Sequence, residues 1–362
     1  MLEGNLSIKR GALSKKLFLK LYERFKFIER FSDFNLEKIY LNYTEDEKTK
    51  SNNINIILSE KIVPNELFVL YNNIITDELF LLVSEDINIY DEYMIKCDST
   101  DLIDLLVLCY VDGLQISDGI SDEELYDRMC IYEDENYSGH IFEELIPLFK
   151  PISLYRLSKE SSIYDKCGYS IYAYYLLCRA KISDFPWEEY TLMDIENLIL
   201  SESQKIPYYN IILSLSSRQW HHVFLESYRM IEHVFCAVYL KEVSDKINID
   251  SSSLASAFED VLHWRPPEEE SLKKIFDIIE CNNYVTDVLK NLNTIKNSKV
   301  GDEKLYKWYY KEIRNQIAHY RVMHRNIEFS DEEWNTIIRF NFLVIRILYE
   351  DYDKYIQEND VG

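Results

Sequence analysis

The chain has 362 residues with 63 acidic and 40 basic side chains, a formal net charge of −23 that repels nucleic acid and anionic membrane at long range, so any nucleic-acid role needs a local basic surface. Hydrophobic residues make up 47% and charged residues 28%, with only 8 Gly and 7 Pro, which excludes a disordered or collagen-like chain and predicts a compact, mainly helical one long enough for two domains. No stretch reaches the roughly 18 to 20 uncharged apolar residues of a membrane helix, and neither GxGxxG nor a Walker A pattern occurs, so no cofactor is expected.

Taken in chain order, residues 13–31 place Leu17, Leu21, Phe25 and Ile28 three or four apart with lysines and arginines between them, an amphipathic helix. The cations Lys9, Arg10, Lys15, Lys16, Lys20, Arg24 and Lys26 make this end a basic patch, read as surface, as an RNA path or as a dock for the chain's own acidic segment. From about 36 to 96 short apolar runs at 55–58, 67–71 and 79–84 alternate with Asn, Asp and Pro and read as strands. Residues 85–144 hold about 18 acidic and two basic side chains, with helical pieces near 101–110, 122–130 and 140–149. Helices are expected again at 167–180 and 187–200. The seven cysteines form no CxxC pair, which fits reduced thiols in a cytoplasmic protein without disulfides or zinc.

The polar stretch 201–205, followed by Pro207, is the expected domain boundary. It separates an α+β domain of unassigned type, 1–204, from an all-helical bundle, 205–362. In the bundle, 216–242 reads as one long helix with Trp220, Phe224, Ile231, Val234 and Val238 on its apolar stripe. Shorter helices are expected at 252–264, 269–280 and 284–296, with Pro266 and Pro267 breaking the first from the second. Two long helices follow at 302–325 and 331–355, the latter opened by Ser330 with Glu333 three residues on, a capping box.

The chemistry-bearing residues lie in the helix expected at 302–325. Positions 304, 307, 311, 314, 318, 321 and 325 follow at steps of three and four and so share one stripe of an α-helix. Lys304, Lys307, Lys311, Arg314, Arg321 and Arg325 occupy all but one of them, the most basic surface in an acidic protein. Asn315 and His319 stand beside that row, and Tyr306, Tyr309, Ile313, Ile317 and Tyr320 face the core. RNA can be cleaved without metal when a group takes the 2′-OH proton, another protonates the leaving oxygen, and a cation stabilises the charge on phosphorus. His319 titrates near neutral pH and suits either proton role. Arg314 offers a planar fork to phosphate, and Asn315 can hold the imidazole or touch the phosphate. One Arg–His set is half of what the reaction needs, so a twofold-related second copy is expected to supply the rest.

Arg314-Asn315-x-x-x-His319, in the penultimate long helix of a helical bundle, resembles the Arg-x(4–6)-His motif of the HEPN superfamily. The segment from Phe224 to Phe235 is similar to an early HEPN helix that carries an acidic residue, here Glu232. The resemblance covers at most residues 205–360. It implies a metal-independent endoribonuclease working as a homodimer, with Arg314 and His319 catalytic, Asn315 and Glu232 in support, and Lys307, Lys311, Arg321 and Arg325 contacting RNA. It further implies a toxin or an anti-phage, abortive-infection effector, with a protein trigger or inhibitor. Because such a nuclease is toxic when always active, the first domain is expected to sense a trigger or restrain the site, its acidic belt occupying the cationic stripe as an RNA mimic. The alternative is a non-catalytic HEPN-like dimerisation or adaptor protein in a defence or toxin–antitoxin complex, in which Arg314 and His319 pack into the core or pair internally. A nucleotide-transferring relative would need a phosphate pocket that the sequence does not display. His221 and His222 are read as structural, because neighbours on a helix point about 100° apart.

Overall fold

The computed structural model describes residues 10–29, 34–61, 66–98, 101–203, 205–247, 266–318 and 328–356. The chain divides into two compact units, Met1–Gly168 and Tyr169–Gly362.

The first unit is α+β. Helix α1 (Arg10–Phe25) presents Leu17, Leu21 and Phe25 to the core with no exposure at all, as its spacing predicts. After α2 (Glu45–Ser51) come β1 (Ile54–Glu60), β2 (Phe68–Asn73), β3 (Glu78–Val83) and β4 (Met94–Lys96), then α3 (Leu102–Tyr110), α4 (Asp122–Met129), the single turn α5 (Phe142–Leu145) and β5 (Ser153–Leu157). All strand pairs are antiparallel, in the order β1-β2-β3-β5-β4. The last strand in sequence therefore sits inside the sheet, a non-local pairing that the segment SLYRL does not announce by itself. The pairing of β1 with β2 slips between Ile56 and Leu58, so Ile57 is an extra residue in that strand.

Helix α3 is apolar almost all round, and eight of its nine residues are buried. One of the eight is Asp104, whose carboxylate accepts the Tyr71 hydroxyl at 2.7 Å and the Asp101 backbone N–H at 2.7 Å. The basic N-terminal helix docks on the acidic segment: Lys16 Nζ lies 2.8 Å from Asp112, and Arg24 Nε lies 3.0 Å from Asp122. The helix expected over 140–149 reduces to α5 and a 3₁₀ turn, because Pro147 cannot donate into a continuing α ladder.

The second unit is helical among its described residues: α6 (Gly168–Lys181), α7 (Glu189–Ile199), α8 (Tyr208–Ser216), α9 (Trp220–His233), α10 (Phe235–Ile247), α11 (Glu268–Ile279), α12 (Thr286–Lys299), α13 (Leu305–Trp308), a π-helical turn (Tyr309–Arg314), α14 (Asn315–Ala318) and α15 (Asp331–Asp351). The expected boundary at 201–205 is displaced, since α7 packs along α15. Arg339 Nε meets Asp194 Oδ2 at 2.6 Å, and the buried Asn335 accepts the Glu188 N–H at 2.9 Å and donates to Pro186 O at 2.8 Å. The polar stretch is a turn inside the unit, where Lys205 Nζ donates to the carbonyls of Asp353 and Ile356 at 2.7 Å each.

Helix α15 is the axis of the bundle, with 13 of its 21 residues buried and with the expected Ser330–Glu333 capping box formed in both directions. The single helix expected over 216–242 is interrupted twice, at Ser217 and at Val234. Its apolar stripe is nevertheless buried as expected, Trp220, Phe224, Ile231, Val234 and Val238 included. The helix expected at 252–264 lies outside the described residues. No helix among the described residues is long and apolar enough to cross a membrane.

Candidate functional site

The helix that carries the motif is not a uniform α-helix. Its middle turn, Tyr309–Arg314, is π-helical, with one α turn before it and one after it. A π turn takes more than four residues, so the side chains beyond it are rotated relative to an α-helical register. The cationic stripe expected from steps of three and four is therefore not one row. Lys311 is exposed, with its Nζ 3.7 Å from Glu303, Lys307 is half-buried, and Arg314 is turned inward with its side chain 14% exposed.

A buried polar chain anchors the π turn. Tyr309, fully buried, donates from its hydroxyl to Asn341 Oδ1 at 2.6 Å; Asn341 Nδ2 donates to Ser227 Oγ at 2.8 Å, and Ser227 donates to the Phe224 carbonyl at 3.0 Å. Each member has a partner, which is what burial of polar groups demands. The rings of Phe224, Phe276 and Phe340 surround Tyr309 with centroids 5.6 to 5.7 Å away. Burial pushes the Tyr309 hydroxyl well above its ordinary pKa, so it stays a donor.

At the end of the π turn, Arg314 pairs through Nε with Glu268 Oε1. The same carboxylate oxygen accepts the Tyr228 hydroxyl at 2.6 Å, and Arg314 Nη1 donates to Asn315 Oδ1 at 2.9 Å. The guanidinium also lies 5.8 Å from the ring centroids of both Tyr228 and Tyr310. Burial, and then the Glu268 charge, raise the Tyr228 pKa, so this hydroxyl too remains protonated. The structure thus brings together Arg314, Asn315, Tyr228 and Glu268.

Glu232 is not in this group. It is exposed on α9, and an acid that meets Arg314 is Glu268 on α11. In the sequence Glu268 opens a run of three glutamates after two prolines, an ordinary first turn for a helix. Nothing in that pattern singles it out, because its role depends on where α11 crosses the motif helix. His319, Arg321 and Arg325 lie outside the described residues, as does Tyr320.

On another side of the motif helix Glu312 and Gln316 face a cavity of about 630 Å³ shared with His221 and His222 of α9. Arg314 does not line it. The two histidines set aside on helical geometry therefore reach one cavity together. No three His, Cys, Asp or Glu side chains among the described residues are grouped to hold a metal ion. Comparison of the chain with models of protein families, with curated proteins and with solved structures finds no match.

Proposed function

We propose that the second unit is a HEPN-type endoribonuclease that cuts RNA without metal and acts as a homodimer, with Arg314 and His319 as its catalytic pair. The observation that carries this reading is the π turn ending on the arginine of the Arg-x4-His motif. A π-helical turn is rare and recurs at functional sites. Here it aims a planar, permanently charged group and seats it against Asn315, the polar neighbour that the motif includes.

In the proposed reaction an imidazole takes the proton of the 2′-OH, and the 2′-oxygen attacks phosphorus. The bond to the 5′-oxygen breaks, and an imidazolium returns a proton to that oxygen. The products are a 2′,3′-cyclic phosphate and a 5′-OH end. Arg314 offsets the charge gathered on the phosphoryl oxygens, and the second imidazole comes from the twofold-related copy. An enzyme of this kind is toxic when always active, so it fits a toxin or abortive-infection effector held in check by its first unit or by a protein inhibitor.

Cleavage of total RNA in EDTA by wild type, Arg314→Ala and His319→Ala, with end-group analysis, tests the proposal. Cyclic phosphates produced by the wild type alone support it, and cleavage that survives in His319→Ala rejects it. A second reading has its own observation. The Arg314–Glu268 pair is the internal pairing expected of a non-catalytic HEPN-like adaptor. That reading predicts no RNA cleavage by any of the three proteins but a dimer in solution.

A further inference from the structure

The cavity beside the motif helix has both acidic and aromatic lining. Glu312, whose Oε2 accepts Gln316 Nε2 at 2.8 Å, lines it together with Glu328, whose carbonyl accepts Lys299 Nζ at 2.9 Å. The rings are Phe329 and Trp334, 5.0 Å apart between centroids and edge-to-face, and His221, 5.2 Å from Trp334 and also edge-to-face. Leu225, Ile313 and Ile317 add apolar lining, and no lysine or arginine among the described residues does. At about 630 Å³ the cavity falls in the range that small-molecule sites occupy.

The Glu312 carboxylate attracts a group rich in N–H donors. The aromatic rings suit a flat group, since bases taken out of a stack are held on aromatic faces and read along their hydrogen-bonding edges. Guanine is the base that joins the two requirements. Its N1–H and N2–H₂ stand side by side and meet the two oxygens of one carboxylate. Adenine presents an acceptor at N1, where the carboxylate would repel it, and cytosine offers only the N4 donor. A carboxylate oxygen has two lone pairs, so the bond from Gln316 leaves Glu312 able to accept again. Burial, and then His222, lower the pKa of His221, which keeps that ring neutral at neutral pH.

We propose that this cavity is a guanine-binding pocket, with Glu312 reading the N1–H/N2–H₂ edge and the base lying on the face of one of the three rings. As a pocket that selects the base beside the cut, it rests on the ribonuclease reading above. Its existence as a guanine site does not.

The test is calorimetric titration of the full-length protein with guanosine, inosine, adenosine and N-acetylarginine amide, alongside mapping of the bases flanking RNA cut sites. Guanosine is expected to bind at least tenfold more tightly than inosine, which lacks the 2-amino group, or adenosine. Glu312→Gln is expected to erase that preference. The wild-type ligand series decides the matter even if the variant folds poorly. Equal binding of the three nucleosides, no saturable binding, or tighter binding of the arginine amide overturns the proposal. Guanosine binding without RNA cleavage leaves the pocket standing and retires the nuclease. Cleavage with no guanosine binding and no base preference does the reverse.

Discussion

The guanidinium of Arg314 and the carboxylate of Glu268 form an ion pair in which a single carboxylate oxygen, Oε1, also takes the Tyr228 hydroxyl at 2.6 Å. Both charged side chains are mostly covered, 14% and 20% exposed. In such surroundings a pair holds geometry more than it adds stability, whereas loss of one partner strands the other charge. Glu268 thus helps to hold Arg314 in its direction, together with Asn315.

Glu268→Gln keeps an acceptor for Tyr228 and removes the charge. It is expected to destabilise the second unit by about 2 kcal/mol, below the value for a fully buried pair because both groups retain some contact with water. If Arg314 serves phosphate, the variant binds RNA more tightly than the wild type while unfolding at lower urea. Unchanged RNA affinity together with the stability loss would assign the pair a purely structural role.

Tyr309→Phe removes the donor that satisfies the buried Asn341 Oδ1. The expected cost is about 1 to 3 kcal/mol, the penalty for leaving a buried polar atom without a partner. Because this chain ties the π turn to α9 and α15, RNA cleavage is expected to fall as well. Urea unfolding with a parallel cleavage assay reads both quantities, and a variant as stable as the wild type would show that the chain does not hold the turn.

Lys311 is exposed and meets Glu303 only at 3.7 Å, a pair that solvent screens. Lys311→Ala is expected to leave stability unchanged and to weaken RNA binding evenly across sequences. The slope of log K against log salt should fall by roughly 0.7 if one phosphate contact to a single strand is lost. An unaltered slope removes Lys311 from the RNA path.

Asp104 in the first unit gives a pH signature. Burial, then the charge of Asp101, push its carboxyl up to about 7, against about 4 in an unfolded chain. The folded state therefore binds the extra proton between those values, and stability contributed by this group falls as pH rises from about 4 to about 7. Below that window the group is protonated in both states and the contribution is whole. Asp104→Asn is expected to flatten this part of the pH–stability curve for the first unit, as followed by chemical denaturation at pH 5 and pH 7.5. A slope that survives in the variant would place the proton elsewhere.

Local pattern was enough for much of this molecule. The period of Leu17, Leu21 and Phe25 marked α1, and the Ser330–Glu333 box marked the start of α15. The apolar runs at 55–58, 67–71 and 79–84 fell on β1, β2 and β3. These features were legible because each depends on residues within a turn or two of one another, where side-chain spacing alone decides which face is buried.

What sequence spacing did not determine was everything that depends on elements meeting. β5 inserts between β3 and β4 across a long stretch of chain, and α7 joins α15 rather than the unit that precedes it. The π turn rotates Arg314 out of the lysine row that α-helical steps predict, because Tyr309 is drawn to Asn341 and Arg314 to Glu268, both on other helices. The partner of the motif arginine is therefore Glu268 and not the exposed Glu232, and the paired histidines of α9 reach one cavity with Glu312. The sequence by itself determined where the arginine, the asparagine and the lysines fall along the motif helix; the crossing of α9, α11 and α15 against that helix decided which side chains meet them, since a helix fixes neighbours only along its own axis.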